Sequence, residues 1–167
     1  MDAGNAPILL TLKVASLATL ASALIGIPLA RWIACSRFRL RDGLDAMLML
    51  PMVLPPTVLG YYLIVLLGRN GPLGRWLEQS FGVSLMFTWQ GAVVAATLVA
   101  FPLVYKAARA AFEDVDPALE NAARTLGSHE LALFFRVTLP VAARGIVAGL
   151  MLTFARAMGE FGATLMI

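Results

Sequence analysis

The chain has 167 residues, of which 60% are hydrophobic and 14% charged, and its mean hydropathy is +0.82. A soluble domain of this length cannot bury that much apolar surface, so the composition predicts that the solvent is largely lipid, and the apolar runs taken in order below predict an all-α membrane protein. The net charge is only +3 and no basic run carries interleaved aromatic residues, which argues against nucleic acid as a partner. Cys35 is the single cysteine, so an intrachain disulfide is excluded, and no Cys/His cluster predicts a metal or another cofactor.

The first apolar run predicts a membrane-spanning helix over about residues 8–33. It exceeds the roughly 20 apolar residues that a spanning helix needs. No basic segment precedes it, and its apolar core is long for a cleaved signal, so we interpret it as a retained span. Four arginines lie at its end or follow it closely, namely Arg31, Arg37, Arg39 and Arg41.

The second predicted span, about residues 46–67, has no charged residue but carries Pro51, Pro55 and Pro56 in its first half. Each proline removes a backbone donor and clashes with the preceding turn, so the helix is expected to begin late, kink or break there. The bend has two interpretations, a bend that lines a pathway near the inner face or an irregular entry to a helix.

A turn-rich segment, residues 68–84, separates this run from the third predicted span at about residues 85–109. Trp76 and Trp89 flank the junction in positions typical of interfacial anchors.

The polar interval Asp116–Pro140 predicts two short helices. Asp116 is a good N-cap, Pro117 suits the first helical position, and Gly127 supplies a left-handed stop. Ser128 is expected to cap the second helix. One face of the first helix carries Leu119, Ala122, Ala123 and Leu126 at helical spacing, and Glu120 and Arg124 form an i,i+4 pair on another. Spacing alone is equally typical of a helix lying among lipid headgroups.

This interval resembles the cytoplasmic coupling loop of ABC importer permeases, whose motif is Glu-Ala-Ala, three residues, Gly, nine residues, then Ile-x-Leu-Pro. Here Ala122 and Ala123 are followed after three residues by Gly127, and after nine more by Val137-Thr138-Leu139-Pro140. Asn121 stands where the motif has its glutamate, and Glu120 lies one place earlier. Which of the two makes the contact that the family gives to the acid is left open by the sequence.

The fourth predicted span, about residues 141–165, contains Gly145 and Gly149, a spacing that indicates close helix packing. Arg156 and Glu160 are four apart on one helical face and lie deep in this span. A charge there must face protein or water, so we interpret them either as a mutually satisfied or snorkelling pair, or as a gate on an anion path.

The distribution of Lys and Arg predicts the orientation. The intervals 31–43 and 105–144 hold nine of these residues together, whereas the opposite side has only Lys13, Arg69 and Arg75. By the positive-inside rule, the N-terminus is outside and the loop 113–140 is cytoplasmic.

Three segments, LPPTVLGYYL, ENAARTLG and LTFARAMGEFGATLMI, make the whole chain resemble the molybdate ABC transporter permease subunits. The resemblance implies a single type I importer permease domain over residues 1–167, multi-pass in the bacterial inner membrane. It also implies a second permease copy, a cytoplasmic ATPase dimer and a periplasmic oxyanion-binding protein as partners. The cargo implied is molybdate or tungstate, with sulfate or thiosulfate as the alternative because sulfate permeases share a similar GEFG segment. The family has at least five core spans and four are predicted here, so the chain is expected to be C-terminally truncated and to lack the final span.

The resemblance places contact with the ATPase on the loop. The residues expected to take part are Leu119, Glu120, Asn121, Ala122, Ala123, Leu126, Gly127, Leu139 and Pro140. The polar residues available for a pathway or gate are Thr57, Tyr61, Thr153, Arg156 and Glu160.

No G-x-x-x-x-G-K-[ST] sequence occurs, so the chain is expected to be non-catalytic and to take its energy from a partner. A secondary transporter would need ionisable groups near the midplane, and only Arg156 and Glu160 qualify. An intramembrane enzyme would need a catalytic constellation, yet the single His129 has no suitable partner nearby in sequence. A non-transporting membrane scaffold is the remaining alternative.

Overall fold

The computed structural model describes residues 6–36, 41–68, 71–72, 74–75, 79 and 88–160, and the regular structure of these residues is helical. In chain order the helices are α1 (Ala6–Cys35), α2 (Arg41–Val53), α3 (Pro56–Leu67), α4 (Trp89–Glu113), α5 (Pro117–Thr125), α6 (Glu130–Leu133) and α7 (Leu139–Met158). A π-helical turn, Phe134–Thr138, joins α6 to α7 without a break.

The helices α1, α4 and α7 form a bundle with two buried cores. One core is made mostly of small side chains, which let helices approach closely: Val14, Ala15, Ala18, Ala96, Ala100 and Ala157. The other core has larger side chains, among them Ile33, Tyr105 and Phe112. Its residues on α4 are closer to α5 along the sequence than those of the first core. The core is therefore a set of helix–helix seams that run along the bundle.

The outer surface of the bundle is apolar, which is the reverse of a soluble fold. Leu24 on α1 is 69% exposed and Met151 on α7 is 68% exposed. Among the described residues, three helical segments are long and apolar enough to cross a membrane: Ile8–Cys35, Trp89–Glu113 and Glu130–Met158. A fourth crossing is possible if α2 and α3 count as one broken span. The apolar exterior agrees with the lipid solvent that the composition predicts.

The seam between α4 and α7 is closed by two glycines. A Cβ added at Gly149 would lie 2.5 Å from the Cβ of Ala107, and one added at Gly145 would lie 2.7 Å from the Cβ of Ala111. Real Cβ atoms do not approach that closely, so the two helices pack at a separation that only glycine allows at these positions. This confirms the close packing that the sequence predicts for both residues.

The second apolar run breaks at its prolines. Helix α2 ends at Val53, α3 begins at Pro56 with proline in its first turn, and the two helices meet at an angle of 105°. Pro51 is accommodated within α2, so the break falls at the Pro55–Pro56 pair, where two consecutive backbone donors are missing.

The predicted spans correspond to these helices with shifted ends. Span 8–33 lies within α1, and span 46–67 covers the end of α2 together with α3. The predicted start of the third span at residues 85–87 and the last part of the fourth span, 161–165, lie outside the described residues. The segment LTFARAMGEFGATLMI is therefore described only as far as Glu160.

Of the two tryptophans predicted as interfacial anchors, Trp89 is among the described residues and Trp76 is not. Trp89 begins α4, and the ammonium of Lys13 on α1 lies 3.9 Å from the centroid of its ring. This cation–π contact joins the starts of two helices at one end of the bundle.

Candidate functional site

Helix α5 lies between the long helices α4 and α7 in the sequence and is a clearly defined polar feature of the described residues. Nearby residues in the sequence set both of its ends. The Asp116 carboxylate accepts a hydrogen bond from the Ala118 backbone N–H at 2.8 Å, and Pro117 occupies the first turn. At the other end Gly127 has a φ of +80°, its N–H bonds the Arg124 carbonyl, and the Ser128 N–H bonds the Ala123 carbonyl. This pair of bonds is a Schellman motif, so the N-cap and the left-handed stop predicted from the sequence are confirmed.

The apolar face of α5 points away from the rest of the chain. Leu119 is 47% exposed and Leu126, at its C-cap, is 86% exposed. Ala122 is exposed as well, and Ala123 is half-buried. Together these side chains give α5 an exposed apolar face.

Glu120 turns the opposite way, towards the bundle. Its Oε1 atom accepts a hydrogen bond from Nη2 of Arg31 on α1 at 2.9 Å and from the hydroxyl of Thr138 in the π-helical turn at 2.8 Å. Asn121 points outward, and its side-chain oxygen accepts a bond of 3.1 Å from Arg124. Within this chain, Glu120 therefore contacts the membrane helices, whereas Asn121 makes a local contact on the exposed side of α5.

The Glu120 carboxyl is held in its charged form. Burial alone raises the pKa of this group, but the Thr138 hydroxyl and the guanidinium groups of Arg31 and Arg124 together lower the pKa below its usual value of 4.5. At neutral pH the contact with Arg31 is consequently an ion pair with a charge-assisted hydrogen bond.

Arg124 binds Glu130 on α6 at a shorter distance than it binds Glu120 on its own helix. Its Nε lies 2.8 Å from the carboxylate of Glu130, whereas its contact with Glu120 spans 3.5 Å. The i,i+4 pair predicted from the sequence therefore exists, but its arginine is shared with a residue beyond the Gly127 turn.

The second short helix differs from the prediction at its start. The residue that caps α6 is His129, which makes no side-chain capping bond, and α6 begins at Glu130. The assignment of Ser128 as its cap is wrong, because α6 begins one residue later than predicted and His129 takes the N-cap position.

Pro140 lies in the first turn of α7, which begins at Leu139, so the new element that the sequence predicted there is confirmed, although the π-helical turn leads into it without a break. The Leu139 N–H bonds the carbonyl of Phe134, five residues back, so the backbone widens into a π-helical turn just before the proline. A proline in a regular α-helix lacks the N–H and clashes with the carbonyl four residues earlier. The wider turn accommodates Pro140 and places the buried Thr138 beside Glu120.

The residues predicted for a pathway or gate fall into two groups. Thr57 and Tyr61 are exposed on α3. On α7, Thr153 is fully buried and its hydroxyl bonds the Gly149 carbonyl at 2.8 Å. Arg156 donates a hydrogen bond to Glu160, so these two charges form the mutually satisfied pair that was one of their two interpretations.

A groove of about 560 Å³ opens between α1 and the π-helical turn. Its lining is apolar apart from Arg31, whose guanidinium already binds Glu120. A divalent oxyanion needs several donors in place of its hydration shell, so this groove does not suit one. In the part of the chain that the structure describes, no group of three or more His, Cys, Asp or Glu side chains could hold a metal ion.

Sequence reasoning missed a charged cluster that holds α2 against α4. Asp45 accepts hydrogen bonds from the Tyr105 hydroxyl and the Lys106 ammonium at 2.9 Å each, and its carboxylate lies 2.7 Å from Arg109. Arg109 also pairs with Glu113 at 2.8 Å. The one available signal was that Asp45 directly precedes a charge-free run, where an acid without a partner is costly.

Replacing Asp45 with asparagine is expected to lower the melting temperature of the detergent-solubilised protein. The change removes a charge that three partners share, at an expected cost of about 1–3 kcal/mol. Asp42→Asn on the same helix is the matched control, because the Asp42 side chain is 83% exposed and its contact with Arg41 spans 3.6 Å. Equal melting temperatures for the two variants would mean that the Asp45 cluster does not stabilise the fold.

Comparison with known proteins gives consistent matches over most of the chain. Residues 23–167 match the family described as binding-protein-dependent transport system inner membrane component. The molybdenum transport system permease protein ModB of Escherichia coli K12 is 49% identical over 158 residues, which cover 95% of this chain and 69% of that protein. The ModB proteins of Haemophilus influenzae (46% identical, 93% of this chain, 68% of the relative) and Azotobacter vinelandii (42%, 97% and 72%) are similar as well.

Proposed function

The chain belongs to the binding-protein-dependent transport system inner membrane component family, and from this membership we propose that it is the membrane subunit of an ATP-driven importer of molybdate. The fold is accordingly that of a type I importer permease, a multi-pass membrane protein. The relatives with which it shares 42–49% identity are named for molybdenum transport, so the sulfate alternative is not favoured.

The observation that carries the proposal is the geometry of α5. This helix is capped at both ends, turns Glu120 towards the bundle and leaves Leu119 and Leu126 open to a partner. We propose that this exposed face docks in a cleft of a separate ATPase, where the small Ala122 and Ala123 allow close approach. The residues proposed for this contact are Leu119, Asn121, Ala122, Ala123, Leu126, Gly127, Leu139 and Pro140. Glu120, which the sequence analysis placed in this set, faces the bundle and is left out of it.

The proposed assembly contains two permease copies, two ATPase subunits and a periplasmic protein that delivers the oxyanion. ATP binding draws the two α5 helices together and switches the spans between inward-facing and outward-facing states, a two-state change driven by differential affinity. In this arrangement the N-terminus is periplasmic and α5 is cytoplasmic. The chain itself is non-catalytic, because ATP is hydrolysed on the partner.

For the pathway we propose the polar groups of α3 and α7, namely Thr57, Tyr61, Thr153, Arg156 and Glu160. The Arg156–Glu160 pair is the one candidate gate among them, since the two charges satisfy each other at rest and could exchange partners when the spans move.

The proposal is tested by reconstituting the chain with its cognate ATPase and binding protein in lipid vesicles. We expect molybdate-loaded binding protein to stimulate ATP hydrolysis and to drive molybdate into the vesicles, while an excess of sulfate does not compete. Dissipating the proton gradient at constant ATP is the control. If uptake then stops, the chain belongs to a secondary transporter, and if no combination of partners supports ATP-dependent uptake, a scaffold role replaces the proposal.

A further inference from the structure

Helix α5 is attached to the membrane helices through one side of one turn. Of its nine residues none is fully buried, and only Glu120 and Ala123 are half-buried. Its two ends lead into the Asp116 and Gly127 turns, and the Arg124–Glu130 ion pair ties its exposed side to α6. In the described part of the chain, the hydrogen bonds that join α5 to the membrane helices are those of Glu120.

Arg31 is built into the bundle more firmly than an ordinary surface cation. Its guanidinium carbon lies 5.7 Å from the ring centroid of Phe112, at the end of α4, and 5.9 Å from that of Phe134, at the start of the π-helical turn. The two aromatic faces restrict the rotamers of Arg31, so little conformational entropy is left to lose when it binds Glu120. Its side chain is only 20% exposed and that of Glu120 is 16% exposed, which limits screening by solvent.

Thr138 provides the second half of the attachment. It is fully buried, and its hydroxyl donates to the same Glu120 oxygen that Arg31 binds. Because Thr138 lies in the π-helical turn that leads into α7, one carboxylate oxygen joins α5 to both α1 and α7. We refer to Arg31, Glu120 and Thr138 together as the latch.

We propose that Arg31 is a positioning residue for transport coupling, which with Thr138 holds Glu120 so that a displacement of α5 moves α1 and α7 together. This inference rests on the proposed function, because it assumes that the ATPase displaces α5. Without the latch, α5 can be displaced without carrying α1 and α7 with it, and the spans do not follow. ATP hydrolysis then continues while less molybdate is moved.

The latch is tested in the reconstituted complex by measuring molybdate uptake and ATP hydrolysis in the same vesicles. For Arg31→Ala we expect the ratio of molybdate imported to ATP hydrolysed to fall about two- to thirtyfold, the span typical of residues that carry coupling energy. Thr138→Val, which keeps the shape of the side chain and removes the hydroxyl, is expected to lower the ratio in the same direction but less. Arg144→Ala, an exposed arginine on α7, is the matched control and is expected to leave the ratio unchanged.

The double variant Arg31→Ala/Glu120→Ala separates a latch from two independent effects. If the two side chains act through each other, the double variant has the same ratio as the worse of the two single variants. If the ratio in the double variant falls by the product of the two single-variant decreases, the latch is overturned. A normal ratio of molybdate imported to ATP hydrolysed in Arg31→Ala would overturn it as well. A merely structural role for Arg31 predicts less assembled complex with an unchanged ratio, which also overturns it. If the unmodified complex does not couple molybdate uptake to ATP hydrolysis, the proposed function itself is overturned. That outcome is measured in vesicles that contain only the unmodified chain, so it is distinguishable from a failure of the latch.

Discussion

Replacing Gly149 with leucine is expected to remove most of the folded protein from the membrane. The Cβ alone would lie 2.5 Å from the Cβ of Ala107 on α4, and leucine adds three further carbons behind it. Overpacking a tight interface costs about 1–3 kcal/mol for small additions and more when the backbone must move. Because α4 and α7 form one of the principal seams of the bundle, separating them also opens the cores that α1 completes. The measurement is the monodisperse fraction in size-exclusion chromatography after mild solubilisation.

Two companion variants make this expectation specific to the seam. Gly43→Leu on α2 adds the same side chain where nothing lies within 4 Å of the new Cβ, and it is expected to leave the monodisperse fraction near that of the unmodified protein. Gly149→Ala is expected to be milder than Gly149→Leu, and Ala107→Gly added to it removes the opposing methyl group and is expected to restore stability. If Gly149→Leu solubilises as a normal monodisperse species, the close seam is not needed for folding.

The features that the sequence predicted well are those set by neighbouring residues. Asp116, Gly127 and Ser128 cap a helix through bonds to backbone groups two to five positions away, and Pro117 has no N–H that needs a partner, so the pattern is visible without knowledge of the fold. The same is true of the break at Pro55 and Pro56, where the missing donors are a local property. The glycines of α7 indicated a close contact, although the sequence did not say with which helix.

The features that the sequence did not predict depend on distant residues. Arg31 looked like one of several cations at the end of a span, and only the packing of α1 against α4 and the π-helical turn places it beside both Phe112 and Phe134. Asp45 finds its partners 60 or more positions away. The motif comparison left Glu120 and Asn121 equivalent, and their roles separate only when the rotation of α5 about its axis is known.

Pro140 shows how far a local signal reaches. A proline at the start of an apolar run is typical of a helix beginning, and α7 does begin at Leu139 with Pro140 in its first turn. The sequence did not predict the π-helical turn before it, which keeps the helical path continuous and places Thr138 beside Glu120. Such a turn is stabilised by contacts of its side chains with α1, α4 and α5, and these contacts are not encoded within five residues of the proline.

Replacing Gly127 with valine is expected to uncouple ATP hydrolysis from molybdate uptake while leaving insertion and folding of the spans intact. Gly127 adopts a φ of +80°, which costs an L-residue roughly 1–2 kcal/mol and is more strained still for a β-branched one. Nothing lies within 4 Å of a Cβ at this position, so the effect comes from the backbone and not from a clash. To relieve the strain, the turn leaves the left-handed region and the Schellman bonds to Ala123 and Arg124 are lost. The last turn of α5 then frays, and Leu126 no longer faces the ATPase in its docking position.

The control is Gly127→Asn, which also adds a Cβ but tolerates the left-handed conformation, and it is expected to transport nearly as well as the unmodified protein. Both variants are measured in the reconstituted complex for molybdate uptake, for ATP hydrolysis and for the amount of ATPase that copurifies. Valine and asparagine differ little in volume at an exposed site, so a difference between them isolates the φ requirement. A normal ratio of molybdate uptake to ATP hydrolysis in Gly127→Val would count against docking through α5. It would mean that coupling does not depend on the conformation of the last turn of this helix. Equal losses in both variants would instead mean that the ATPase approaches Gly127 so closely that no side chain fits, which keeps the docking surface but moves its centre from the apolar face to the turn.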